Sequence, residues 1–197
     1  MKKYILMLFL LSLFLPVFGY AECTGGGTSC TTADNVTYTC TDASYGCIND
    51  VLALATDGDT INITATGTVT WDSQLAITKK VQIIHVAGPA TLTIKSGYAP
   101  TDSSCLYYPS GAFLIYYNYT GTSESKFRIS GFTFDGDNKA NILYMNSSVV
   151  NDYTNRIDNN IINNSRCMIG TTSYPKAFKI VKSFGLIDNN TFNADKK

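Results

Sequence analysis

The chain has 197 residues, in which 15 Lys and Arg balance 15 Asp and Glu, and it carries one histidine. Neutral charge, three arginines and no basic run argue against a nucleic-acid partner. The length suits one domain, and a composition rich in Thr, Asn, Gly and Tyr points to an all-β exported protein.

Residues 1–21 read as a secretory signal peptide. Lys2 and Lys3 precede an apolar run from Ile5 to Phe18, and Gly19, Tyr20 and Ala21 form a small-residue cleavage region before Glu22. Pro16 interrupts the run, which is too short to span a bilayer, and no later stretch is long enough to do so. Cleavage removes two basic residues and no acidic ones, leaving a net charge of −2 and no membrane span. Residues 22–47 then form a cysteine-rich cap segment. Cys23, Cys30, Cys40 and Cys47 are spaced 7, 10 and 7 apart, and Cys105 and Cys167 complete an even set. Behind an export signal such a set favours disulfides, with connectivity open. Zinc would want tight Cys-x-x-Cys pairs, which are absent. Asn35, Asn62, Asn118, Asn146, Asn163 and Asn189 begin Asn-x-Ser/Thr triplets, relevant only in a eukaryotic host.

A domain over residues 48–197 follows. The apolar pattern Ile48, Val51, Leu52, Leu54 and Ala55 predicts a short amphipathic helix over 47–56. Asp57-Gly58-Asp59 is a turn, and strands are expected over 60–64, 68–71, 75–78, 81–86 and 91–94, with Lys79 and Lys80 among the residues punctuating them. Beyond Ser96 one phrase recurs, beginning at Ile129, Ile157 and Ile187, starts 28 and 30 residues apart. Its third residue is Gly131, Asn159 or Asn189, the types that enter a left-handed conformation at little cost. Its sixth is Phe134, Ile162 or Phe192, expected to stack in the interior. Asn160 and Asn190 occupy matching positions, so strands stacked about 4.8 Å apart would align their amides in a hydrogen-bonded ladder. Apolar strands at 113–117, 142–145 and 178–181 precede the three phrases.

This pattern resembles the right-handed parallel β-helix (pectin-lyase-like) superfamily. The stretch from Val51 to Ile63, with Gly67 to Trp71 and Leu75 to Ile77, is similar to that group's capping helix and first coil, and Phe127 to Gly136 to its inner-coil phrase. The expected fold is therefore an all-β, single-stranded right-handed parallel β-helix solenoid with an N-terminal capping helix. About five coils fit after Thr60, and no capping segment follows Asn193, so a C-terminally truncated solenoid is expected. The resemblance implies polysaccharide or a cell-surface glycan as partner, bound or cleaved by a lyase or glycoside hydrolase. The alternative is a non-catalytic surface adhesin.

A lyase of this kind would hold Ca²⁺ on acidic residues and use Arg or Lys as base. Asp135, Asp137 and Asp152 with Arg156 or Lys139 are the candidates, and Asp135 with Asp137 or Asp158 is the corresponding glycosidase pair. The competing reading takes Asp135-Gly136-Asp137-Asn138 as a turn, built from the residues turns select. No Asn-Thr-Asp plus Asp-Asp pattern of polygalacturonase-like enzymes is present. His85, in a strand and without partners for a triad or histidine metal site, reads as structural. Between Ser96 and Tyr119 lie Tyr98, Tyr107, Tyr108, Tyr116, Tyr117 and Tyr119. Tyr107 and Tyr108 are the candidate sugar-stacking residues, against a reading in which the tyrosines pad a loop or alternate along a strand.

Overall fold

The structure, a computed structural model, describes residues 20–22, 29–32, 37–100, 112–149, 153–166, 177–183 and 185–193. Among them are one helix, α1 (Tyr45–Leu54), and seventeen strands in three sheets. The eight-stranded sheet contains, in spatial order, β1 (Tyr20–Glu22), β2 (Ser29–Thr32), β3 (Thr37–Cys40), β4 (Thr60–Ile63), β7 (Gln82–His85), β10 (Phe127–Ser130), β13 (Asn155–Asp158) and β16 (Gly185–Asp188). The five-stranded sheet runs β5 (Gly67–Trp71), β8 (Leu92–Ser96), β11 (Thr133–Asp135), β14 (Ile161–Asn163), β17 (Thr191–Asn193). The four-stranded sheet runs β6 (Leu75–Ile77), β9 (Phe113–Tyr119), β12 (Asn141–Ser147), β15 (Phe178–Val181). From β4 onward the chain visits the three sheets in fixed rotation, and every pairing among these strands is parallel. Three consecutive strands, one per sheet, form a tier.

Each sheet contributes an aligned apolar column to the core. In the eight-stranded sheet Ile61, Ile83, Ile129, Ile157 and Ile187 stand in register. In the five-stranded sheet the column is Val69, Ile94, Phe134, Ile162 and Phe192. Ile77, Tyr117, Met145 and Ile180 do the same in the four-stranded sheet. Alternation with period two explains why these residues share one face. Removing an aliphatic or aromatic side chain of this size from water is worth about 1.5–3 kcal/mol. Stacking is what achieves it: Ile157 and Ile162 are 1% and 0% exposed, whereas Ile187 and Phe192 in the last tier are 42% and 47% exposed. Phe192 is thus in the expected column but only half covered.

Helix α1 covers the opposite end. Its first turn is capped by Ser44, whose Oγ accepts from the Cys47 N–H at 3.3 Å, while Asp42 holds Ser44 through both its N–H and its hydroxyl. Cys47, Ile48, Val51 and Leu52 form the buried face. At the C-terminal end the Lys79 ammonium donates to the carbonyls of Leu52, Ala53 and Ala55 at 2.8, 2.9 and 2.5 Å, filling acceptors the helix itself leaves open. Lys80 is fully buried, with Nζ 3.0 Å from Thr154 Oγ1 and above the Tyr119 ring. These lysines, expected as punctuation between strands, are therefore packing residues. Trp71 is buried beside the cap, donating from Nε1 to the Ala43 carbonyl at 2.9 Å.

The cap segment adds antiparallel pairing, β1 to β2 and β2 to β3, that the cysteine spacing alone did not foretell. Cys30 and Cys40 are register partners across β2 and β3, Cys40 is buried, and Cys47 is disulfide-bonded. Cys23, Cys105 and Cys167 lie outside the described residues, as do residues 1–19 of the expected signal peptide.

Candidate functional site

The recurring phrase forms one corner, repeated between the eight-stranded and five-stranded sheets. Gly131, Asn159 and Asn189 have φ of 87°, 55° and 52°, and the strands on either side of them are in register. Asn160 is buried at this corner: its Oδ1 accepts from the Phe132 N–H at 3.1 Å and its Nδ2 donates to the Ile129 carbonyl at 3.1 Å. Asn190 repeats the arrangement one tier on, accepting from the Asn160 N–H at 3.0 Å and donating to the Ile157 carbonyl at 2.8 Å. The two side chains join directly, Asn160 Nδ2 to Asn190 Oδ1 at 3.0 Å. His85 serves the same corner, with Nδ1 3.0 Å from the Gly131 carbonyl oxygen and Nε2 3.0 Å from that of Ala65. Asn160, Asn190 and His85 are thereby committed to holding backbone together.

Beside the corner, on the outward face of the eight-stranded sheet, charged residues alternate in sign. Arg128 grips Asp158 through Nε to Oδ1 at 2.8 Å and Nη2 to Oδ2 at 2.6 Å. Arg156 reaches Asp188 at 3.2 Å and lies 3.5 Å from Asp158. The Asp158 side chain is wholly buried, and the hydrogen bonds from Arg128 hold its carboxyl below the usual carboxylate range against the contrary push of burial. Gripped by Arg128 and close to Arg156, Asp158 is committed to ion pairing.

Asp135 and Asp137 lie on the other side of the corner, at the end of β11. Asp135 Oδ1 accepts from the Asp137 N–H at 2.9 Å and from Asn164 Nδ2 at 3.1 Å, the geometry of a carboxylate organising its own turn. Asp137 and Asn138 have φ of 49° and 58°. Asp137 is paired with Lys139 at 2.6 Å and Lys95 at 3.2 Å, and Lys139 foremost holds its carboxyl below the usual range. Arg156 is not brought to these two aspartates; it belongs to a different sheet and a different set of ion pairs. Ca²⁺ would demand six or more oxygens, whereas both Asp137 oxygens face ammonium groups. Among the described residues no three His, Cys, Asp or Glu side chains gather as a metal-binding group. Asp152, Tyr107 and Tyr108 lie outside the described residues.

The outer side of the four-stranded sheet carries an aromatic row. Ala76, Tyr116, Tyr144 and Lys179 form one row in register across β6, β9, β12 and β15. Tyr116 and Tyr144 are half-buried, with ring centroids 5.2 Å apart and planes inclined by 35°. Phe113 abuts the Tyr144 ring edge-on at 5.7 Å, and Lys179 Nζ stands 5.4 Å from the same ring. Burial first, then the neighbouring Tyr116, pushes the Tyr144 phenol up, so it remains a protonated donor. In the next outward row Asn146 Nδ2 donates to Asn118 Oδ1 at 2.7 Å. That bond leaves the Asn118 amide nitrogen and the Asn146 amide oxygen without a partner among the described residues. Two inclined aromatic plates beside one free amide donor and one free amide acceptor can stack on a ring and bond its hydroxyls. Tyr116 was within the tyrosine group singled out from the sequence. Tyr144 was not, although aligning the strand at 142–145 with that at 113–117 would have placed it beside Tyr116.

No family model, no curated protein and no solved structure matches the chain.

Proposed function

We propose that this is an exported protein of the right-handed parallel β-helix (pectin-lyase-like) kind that binds extracellular or cell-envelope polysaccharide on the outer face of its four-stranded sheet. The fixed rotation of parallel-paired strands among three sheets and the repeated Gly/Asn corner support the winding. The pairing of Tyr116 and Tyr144, with Asn118 and Asn146 alongside, carries the functional reading. A sugar ring offers an apolar C–H face to the tyrosines and hydroxyls to the amides, and the three components occur here in adjacent rows. Binding is favoured over lyase or hydrolase chemistry because Asp135, Asp137 and Asp158 are committed to turn, lysine and arginine contacts.

The test is affinity measurement on a panel of pectin, alginate and neutral glucans, with Tyr116→Ala and Tyr144→Ala as variants. Each is expected to weaken binding about tenfold, an aromatic platform being worth roughly 1.4 kcal/mol. Binding untouched by both substitutions would sink the assignment. Release of unsaturated products or new reducing ends from any polymer would replace it with a catalytic one.

A further inference from the structure

The five-stranded sheet presents a second ordered row that the tyrosine face does not use. Thr68, Thr93, Thr133, Ile161 and Thr191 stand in strict register across β5, β8, β11, β14 and β17. They alternate with the apolar column of the core, so all five project from the outer face. Thr68 and Thr191 are exposed, Thr93 and Thr133 are half-buried, and Ile161 is 38% exposed. None of the four threonine hydroxyls has a hydrogen-bond partner among the described residues. The neighbouring outward row is different. There Lys95 is bound to Asp137, Asp135 to Asn164, and Asn163 to Asn193, so these polar groups already have partners.

A β-branched side chain has few rotamers, and the parallel ladder repeats it about every 4.8 Å, so hydroxyl and methyl recur in a straight file. Every hydroxyl offers one donor and two acceptor sites. What matches such a file is a linear polymer whose own hydroxyls and C–H groups recur along its length. The ion pairs beside the file bear on the sign of the ligand: Lys95 and Lys139 are both bound to Asp137, so neither ammonium is left to hold an anionic polymer. We infer that the threonine row is a second carbohydrate-binding face, which takes a neutral linear polysaccharide lying along the stack of strands. This rests on the polysaccharide reading for the class of ligand, but on different residues and a different sheet.

The test uses the full chain and three neutral hexasaccharides, cellohexaose, chitohexaose and mannohexaose, measured by calorimetry. Thr93→Val with Thr133→Val removes two hydroxyls while keeping the branched shape. It is expected to weaken binding of at least one hexasaccharide by fivefold or more, with an unchanged melting temperature. Ile161→Thr completes the file and is expected to tighten binding of the same sugar. Loss on the threonine substitutions that adds to loss on Tyr144→Ala supports two faces. Loss on the threonine substitutions alone supports this face and excludes the tyrosine face as the site for that sugar. Loss on Tyr144→Ala alone overturns the threonine face and leaves the first reading standing. Absence of hexasaccharide binding by the unaltered protein overturns the threonine face and leaves the tyrosine face to the pectin and alginate arms of its own test.

Discussion

Replacing Asn160 by alanine tests the corner most directly. The side chain is 1% exposed, so water does not readily replace it. Its loss strips the Phe132 N–H and the Ile129 carbonyl of partners now at 3.1 Å each, while the Asn160 N–H keeps its bond to Asn190. A buried polar group left without a partner costs about 1–3 kcal/mol. The carbonyl has a second lone pair and suffers less, so the sum is about 3 kcal/mol. For a chain of this size that is a fall in melting temperature of about 6–12 °C. Asn190→Ala, in the half-covered last tier, should cost about 1 kcal/mol because solvent can take over its bonds. Urea unfolding gives the free energies, and hydrogen exchange at Phe132 gives the local effect. If Asn160→Ala lay within 0.5 kcal/mol of the parent and Phe132 stayed protected, the side chain would not be holding the corner.

Gly131→Ala should destabilise by about 1–3 kcal/mol, and by more than Asn159→Ala, since a methyl at Gly131 would stand 2.8 Å from the His85 carbonyl oxygen at a φ of 87°; parallel melting curves decide the order. Arg128→Gln leaves the buried Asp158 carboxylate without its principal partner and should cost about 3 kcal/mol at pH 7. Because the folded Asp158 carboxyl titrates below the ordinary value of about 3.9, its contribution is present above that pH and fades as pH falls through the depressed folded value. The gap between parent and Arg128→Gln should therefore close on acidification below about pH 4, and a gap that stays constant would refute the pairing.

What the sequence disclosed was whatever a residue carries with it. Tolerance of left-handed backbone belongs to Gly and Asn themselves, so the corner at 131, 159 and 189 was legible without knowing any neighbour. The same is true of the Asp135–Asp137 turn, whose bonds span two residues, and of the alternating apolar strands. Contacts that depend on register were not legible. Arg128 meets Asp158 thirty residues away, and Lys79 finds the end of α1 only after the chain has passed through three further strands. The tyrosine pair and the threonine file belong to this second kind. Their members are unremarkable in isolation and acquire meaning from the strand beside them.

The corner amides also give the stack a direction. Asn160 and Asn190 each secure backbone of the tier before their own, and the far end is latched beneath α1 by Lys79. Detaching β16 and β17 therefore frees a small, repeatable set of bonds, whereas starting from the helix means breaking the latch and the cap together. Pulled or heated, the described tiers should separate in order, β16 and β17 leaving before the tier beneath them and the tier under the helix holding longer.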